Sequence, residues 1–168
     1  VVKLNNWHQS RISELIIKKL FGTTSGKKIC ILGFAFKANT NDTRESAAIK
    51  ICNDLLEEGS ILFIHDPKVD PKQIEKDLNR KQFDLKGRKF DEFDKFALEG
   101  NWIFANEIIS AVVEADAICV LTEWEEYAKL DWGLISQKMR KPAWIFDARS
   151  ILKTDEVKKA GLNLWTIG

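Results

Sequence analysis

Residues 27–46, KKICILGFAFKANTNDTRES, pass from charge into a short apolar run, turn at a glycine and open into a polar loop carrying Lys37 and Arg44. A short apolar run bounded by charge and glycine reads as a strand covered on both faces, here residues 28–33. The loop after it stands where many α/β folds place a nucleotide-binding turn, yet it holds a single glycine, Gly33. It lacks G-x-G-x-x-G and the GK[ST] of a P-loop, which disfavours dinucleotide binding in the usual first-turn manner. A long lysine-bearing loop instead offers phosphate a side chain.

Working outward, residues 7–21 place Ile12, Leu15, Ile16 and Leu20 at helical spacing, and GTTSG ends that amphipathic helix. Beyond the loop, Asp42 and Glu45 form D-x-x-E, the pattern of a capping box. Ala47, Ala48, Ile51, Cys52, Leu55 and Leu56 then recur at helical spacing up to Gly59. SILFIHD is a second strand, and Asp70-Pro71 predicts an N-cap with Pro at N1, opening a helix to about Leu78. Residues 79–100 read as a charged surface excursion anchored by Phe83, Phe90, Phe93 and Phe96, with a helix near 91–97. WIFA, AICVLT, PAWIFDAR and NLWTI supply four further strands. Asn106 and Asp131 are the expected caps of helices running to about Glu114 and Met139. Strands alternating with helices predict a three-layer Rossmann-like α/β fold, a mostly parallel sheet of about six strands with helices on both faces.

The chain of 168 residues suits one well-cored domain, with residues 1–24 as a leading helical segment and 25–168 as the domain itself. A formal charge of +1 gives no general reason to expect nucleic acid or a membrane surface as partner. No apolar run approaches a bilayer span. Cys30, Cys52 and Cys119 are odd in number and lack CxxC spacing. They read as buried thiols in a reducing, cytoplasmic compartment rather than as a disulfide scaffold or zinc site. The sequence starts without Met and reads as an excised segment. His8 and His65 lack the partners of a metal site or catalytic triad, so no metal is expected.

In doubly wound folds ligands bind beyond the carboxyl ends of the strands, where strand order reverses. The residues there are Phe36, Lys37 and Arg44 after the first strand, Asp66 after the second, Thr122 and Glu123 after the fourth, and Asp147 and Arg149 after the fifth. If the first, fourth and fifth strands are neighbours, Lys37 and Arg149 flank one crevice, and two cations beside helix N-termini suit a phosphate or diphosphate. Phe36 would cover a planar or apolar part of that ligand. Each residue also has a plainer reading. Lys37 serves as well as a solvated loop lysine and Arg44 as a partner for Asp42, Glu45 or another carboxylate, while Arg149, directly after an apolar strand, suits ligand or interface contact. Glu123 and Asp66 read as supporting carboxylates. Residue chemistry alone identifies no catalytic group and describes a binding domain.

LGFAFKANTNDTRES (32–46), HDPKV (65–69), LTEWEEY (121–127) and IFDARSIL (145–152), in that order, resemble the C-terminal portion of the UDP-glucose 6-dehydrogenase family, within the wider group of UDP-sugar and GDP-mannose dehydrogenases. NNWHQSRI resembles the end of the central helix that joins that family's two nucleotide-binding-type domains. The resemblance implies an enzyme that oxidises UDP-glucose to UDP-glucuronate with two NAD+, working as a homodimer or larger homo-oligomer. It implies substrate contacts from Phe36, Lys37 and Arg149, and contact from Arg44 to NAD held mainly by another domain. The family's NAD turn and catalytic cysteine segment have no counterpart here, and none of the three cysteines occupies that cysteine's motif. The isolated polypeptide is therefore expected to be inactive.

Two departures stand out. Ala148 replaces a glycine common between the Asp and Arg of the last motif, which would redirect Arg149 if that glycine served a left-handed bend. Ala38-Asn39 stands where relatives commonly carry Pro-Asn or Lys-Asp. TEWEEY and FDAR favour the UDP-glucose branch. The rival readings are a dehydrogenase of UDP-N-acetyl sugars, UDP-galactose-type substrates or GDP-mannose, and a non-catalytic binding or assembly module.

Overall fold

The computed structural model describes residues 2–84 and 99–167. Along the chain run α1 (Val2–Lys19), β1 (Lys28–Leu32), α2 (Ala47–Glu57), β2 (Ile61–His65), α3 (Pro71–Leu78), β3 (Asn101–Phe104) and α4 (Ile108–Val112). There follow β4 (Ala117–Val120), α5 (Glu125–Ala128), α6 (Trp132–Lys138), β5 (Trp144–Asp147), α7 (Thr154–Lys159) and β6 (Asn163–Thr166). The six strands form one sheet in the order β3-β2-β1-β4-β5-β6, and every pairing is parallel. This is the doubly wound order, with its reversal between β1 and β4.

Side-chain alternation along each strand divides the core in two. Ile29, Ile31, Leu62, Ile64, Ala117 and Cys119 point to the face covered by α1, α2 and α3. Cys30, Leu32, Phe63, Ile118, Val120 and Ile145 point to the face carrying Ala111, Val112, Tyr127, Ile135 and Val157 of the later helices. Strands β1, β2 and β4 are buried at every position, and both of their faces are apolar apart from Lys28 and His65. On α2, Ala48, Ile51, Cys52, Leu55 and Leu56 form the buried stripe. Each fully buried Leu or Ile there stabilises the fold by about 1.5–3 kcal/mol. The first helix joins the same layer through Ile16 and Leu20, and Ser13 Oγ donates to Asp54 Oδ2 at 2.8 Å.

The cap of α3 is as predicted: Asp70 accepts from Gln73 N with Pro71 at N1. The D-x-x-E capping box is corrected. Asp42 accepts from Arg44 N, Glu45 has φ +61°, and α2 starts later, capped by Ser46, whose Oγ accepts from Ala48 N. A left-handed Glu45 cannot be an N3 residue, because N3 is helical. Asn106 is not a cap either; α4 begins after Glu107 and has no side-chain cap bond. Phe83 packs against the second core, and its N–H donates to Trp102 O at 2.8 Å. The helix expected near 91–97, with Gly87, Phe90, Phe93 and Phe96, lies outside the described residues. No helix among the described residues is long and apolar enough to cross a membrane.

Cys30, Cys52 and Cys119 are free and fully buried. Burial pushes the Cys30 thiol up to about 12 and raises the other two as well. Thiolate is the reactive form, so a disulfide reagent at pH 8 is expected to leave all three unmodified in the native protein. The same reagent should titrate all three in denaturant, and rapid native labelling would contradict their placement.

Candidate functional site at the carboxyl edge of the sheet

Because all strands run the same way, the loops after β1, β2, β4 and β5 emerge together. The loop after β1 turns at Gly33, whose φ is +100°. A side chain there would overlap Thr122, so the single glycine serves close approach of β1 to β4. Gly33 N–H donates to His65 O at 2.9 Å, which ties the turn to β2 as well.

Asp66 holds the base of the loop. Its Oδ2 accepts from Phe34 N at 2.8 Å, Ala35 N at 3.0 Å and Trp124 Nε1 at 3.3 Å. Its Oδ1 accepts from Lys68 N at 2.8 Å and Val69 N at 2.9 Å. The residue is only 4% exposed. A buried carboxylate is tolerated when donors surround it, and here they do. Beside it, His65 Nδ1 lies 2.9 Å from Tyr127 Oη, and burial lowers the pKa of the imidazole. Asn39 at φ +65°, Phe36 N–H donating to Asp42 O at 2.8 Å, and Ser46 Oγ donating to Phe34 O at 2.7 Å shape the rest of the loop.

The tripeptide Thr122-Glu123-Trp124 fastens this edge from the β4 side. Thr122 Oγ1 donates to Ala35 O at 2.7 Å, and Trp124 Nε1 reaches Asp66. Between them, Glu123 Oε1 accepts from Ala38 N at 2.5 Å, while Oε2 pairs with Arg149 Nη2. One carboxylate thus spans from the residue after Lys37 to the Arg149 guanidinium. Strand order places β1, β4 and β5 side by side, so Lys37 and Arg149 share one edge as anticipated.

One device presents three of the cations, Lys37 not among them. In Asp42-x-Arg44, Asp66-x-Lys68 and Asp147-x-Arg149, the aspartate Oδ1 accepts from the main-chain N–H of the basic residue, at 2.9, 2.8 and 3.0 Å. These are Asx turns. Asp147 Oδ2 also accepts from Leu152 N at 2.9 Å. Ala148 is not among the residues of positive φ; the left-handed bend falls at Ser150, φ +56°. Alanine at 148 therefore carries no left-handed strain on the way to Arg149. The D-x-[KR] spacing is visible in the sequence and points to Lys68 as a further cation of this edge, although Asp70-Pro71-Lys72 has the same spacing and its aspartate caps α3 instead.

Phe36 is 43% exposed, a large aromatic open to solvent beside Lys37. The Arg44 guanidinium, 88% exposed, makes a two-point contact with Asp42, at 3.1 Å from Nε and 2.9 Å from Nη2. The side-chain bond from Arg44 is the main cause holding the Asp42 carboxyl down near 2. Arg44 thus has the salt bridge its isolated reading anticipated. It lies on the same loop as Lys37 but outside the Glu123 tether. A groove of about 620 Å³ runs between α1 and β6, past Ile12, Leu15, Trp165 and Ile167.

A model for the UDP-glucose/GDP-mannose dehydrogenase family, UDP binding domain, matches residues 30–154. The chain belongs to this family. The matched span contains Phe36, Lys37, Arg44, Glu123 and Arg149. UDP-glucose 6-dehydrogenase of Drosophila melanogaster is 44% identical over 168 residues, covering 100% of this chain and 34% of the relative. UDP-glucose 6-dehydrogenase 4 of Arabidopsis thaliana is 38% identical over 172 residues, covering 100% of this chain and 35% of the relative. The chain thus spans about a third of the length of these relatives. The crystal structure of NDP-N-acetyl-D-galactosaminuronic acid dehydrogenase from Methanosarcina mazei Go1 shares the fold, with TM-score 0.68 at 21% identity, over 96% of this chain and 29% of that one. For a member of the UDP-glucose/GDP-mannose dehydrogenase family, the edge bearing Lys37 and Arg149 is the candidate binding surface.

Proposed function

We propose that this chain is the UDP-sugar-binding domain of a UDP-glucose 6-dehydrogenase, in which residues 25–168 close over the substrate and residues 1–24 end an inter-domain helix. The full-length protein oxidises the C6 hydroxymethyl of UDP-glucose to the carboxylate of UDP-glucuronate, with NAD+ as hydride acceptor in two successive steps. Lys37 and Arg149 bind and orient the diphosphate, and Phe36 covers the nucleotide-sugar beside it. Such contacts supply placement: they fix C6 at chemistry performed by residues outside this chain. The observation that carries the reading is the joining of the Lys37 loop to Arg149 through Glu123.

NAD does not fit a first-turn site in this domain. The acid at the end of β2, which would take a ribose hydroxyl in a dinucleotide fold, is Asp66, and it is buried under five donors. What fits an NAD phosphate is the exposed Arg44 guanidinium, contributing to cofactor held mainly by another domain. UDP-glucose is preferred over other nucleotide sugars because sequence relatives at 44% and 38% identity carry that name. A cytoplasmic homodimer or higher homo-oligomer completes the proposal.

Steady-state kinetics of the full-length protein test it. Arg149→Ala is expected to lower kcat/KM for UDP-glucose about 10- to 100-fold, the loss of one or two charge-assisted hydrogen bonds. Unchanged kinetics would overturn the assignment. The 168-residue polypeptide alone, given UDP-glucose and NAD+, should show no rise in NADH absorbance; turnover by the pure polypeptide would refute its role as a binding domain. Competition by UDP but not GDP separates the uridine reading from a GDP-mannose one.

A further inference from the structure

We infer that Glu123 is a positioning residue, a tether that fixes the Lys37 loop and Arg149 relative to each other so that both cations meet one diphosphate. The inference rests on the proposed substrate site and adds a residue to it.

The two carboxylate oxygens have separate tasks. Oε1 takes the Ala38 N–H, the peptide group immediately after Lys37, and Oε2 takes Nη2 of Arg149. Each contact alone would anchor one element. Together they hold a loop from β1 and a turn from β5 at the span of one carboxylate. A guanidinium has five N–H donors. Among the described residues the Arg149 head donates only through Nη2, so Glu123 orients it without consuming it. The Arg149 backbone is already fixed by Asp147, and the loop base by Asp66 and Thr122. Glu123 therefore acts where the Lys37 loop has left its buried anchors.

The pair is partly open, with side chains 36% and 28% exposed. A pair this open adds little to stability. Folding gives Glu123 little to do; placement gives it a task. A carboxylate paired with Arg149 also lowers that cation's pull on an anion, a cost that alignment must outweigh. The tether thus predicts loss of affinity on its removal, whereas a competing anion predicts gain.

Glu123→Gln in the full-length protein separates these. It preserves volume and an oxygen for Ala38 N–H but turns a donor toward Arg149. The expected result is a KM for UDP-glucose raised about 10-fold, with kcat changed less and Tm within about 3 °C of wild type. In the wild-type background the losses from Lys37→Ala and Arg149→Ala should be non-additive, and in the Glu123→Gln background they should multiply. An unchanged KM, a lowered KM, or a Tm loss much beyond this range would overturn the tether. Independently of any variant, the Ala38 amide should stay protected from hydrogen exchange when UDP-glucose binds the wild type; deprotection would also overturn it. Arg149→Ala is the control. If it too leaves KM unchanged, the substrate site itself is wrong; if it weakens binding while Glu123→Gln does not, only the tether fails.

Discussion

Asp66→Ala is expected to destabilise the protein by about 4 kcal/mol or more, lowering Tm by about 10 °C. The substitution leaves the N–H groups of Phe34, Ala35, Lys68 and Val69, and the Trp124 indole, without their shared acceptor. Each buried donor left unmet costs about 1–3 kcal/mol, and water entering the space would recover only part of the total. Asp66→Asn should fall between: one oxygen still accepts, while the amide N–H₂ confronts the remaining donors. Urea unfolding followed by circular dichroism measures both variants. A loss below about 1 kcal/mol for Asp66→Ala would show that the donors find other partners. The effect reaches the site as well, since Phe34 and Ala35 are the ground from which Phe36 and Lys37 project.

Gly33→Ala is the second large effect, with an expected cost of about 3–5 kcal/mol. A Cβ at Gly33 would overlap Thr122 Cβ and stand 2.5 Å from Thr122 Oγ1 and 2.7 Å from Thr122 N. Neither β1 nor β4 can withdraw without opening a sheet pairing, because Leu32 is in register with Val120. The φ of +100° adds conformational strain. Gly22→Ala is the matched control: φ is +83° there too, but nothing lies within 4 Å of the added methyl. It should cost about 1–2 kcal/mol, the backbone contribution alone. The difference between the two measures the close approach at the point where strand order reverses. Equal losses would mean that β4 yields readily.

Much of this architecture was legible in the residues. The KICIL run, the alternation of strands with helices and the Asp70-Pro71 cap depend on local pattern, and they appear where that pattern puts them. Asp42 shows where locality misleads. An aspartate three residues before a glutamate fits a capping box, but the side chain prefers the nearer N–H two residues on and the guanidinium that follows. The short helices α5 and α7 gave little periodic signal. Neither has a side-chain cap bond, and each buries a single residue, Tyr127 or Val157. Tertiary packing holds them.

The candidate site divides in the same way. Lys37, Arg149 and their common edge followed from strand order, which the alternation of elements made a reasonable expectation. Asp66 and Glu123 were legible as supporting carboxylates but their partners were not, because these lie between 26 and 85 residues away along the chain for the contacts that matter most. Reading the Thr122-Glu123-Trp124 tripeptide as a fastening required coordinates. In the sequence it stood out only as part of the LTEWEEY motif, with no sign of what it fastens.

The Asx turns at Asp42, Asp66 and Asp147 have a bearing on how such a surface can be rewritten. At Asp66 and Asp147 the acceptor grips the peptide of the basic residue and not its side chain, so the turn is indifferent to what that residue carries outward, whereas Asp42 holds the Arg44 guanidinium as well. Positions 68 and 149 are sockets: lysine, arginine, glutamine or an aromatic can be exchanged there while the turn's mounting stays intact. An engineer wishing to retune ligand preference would do well to vary these plugs and leave the aspartates alone.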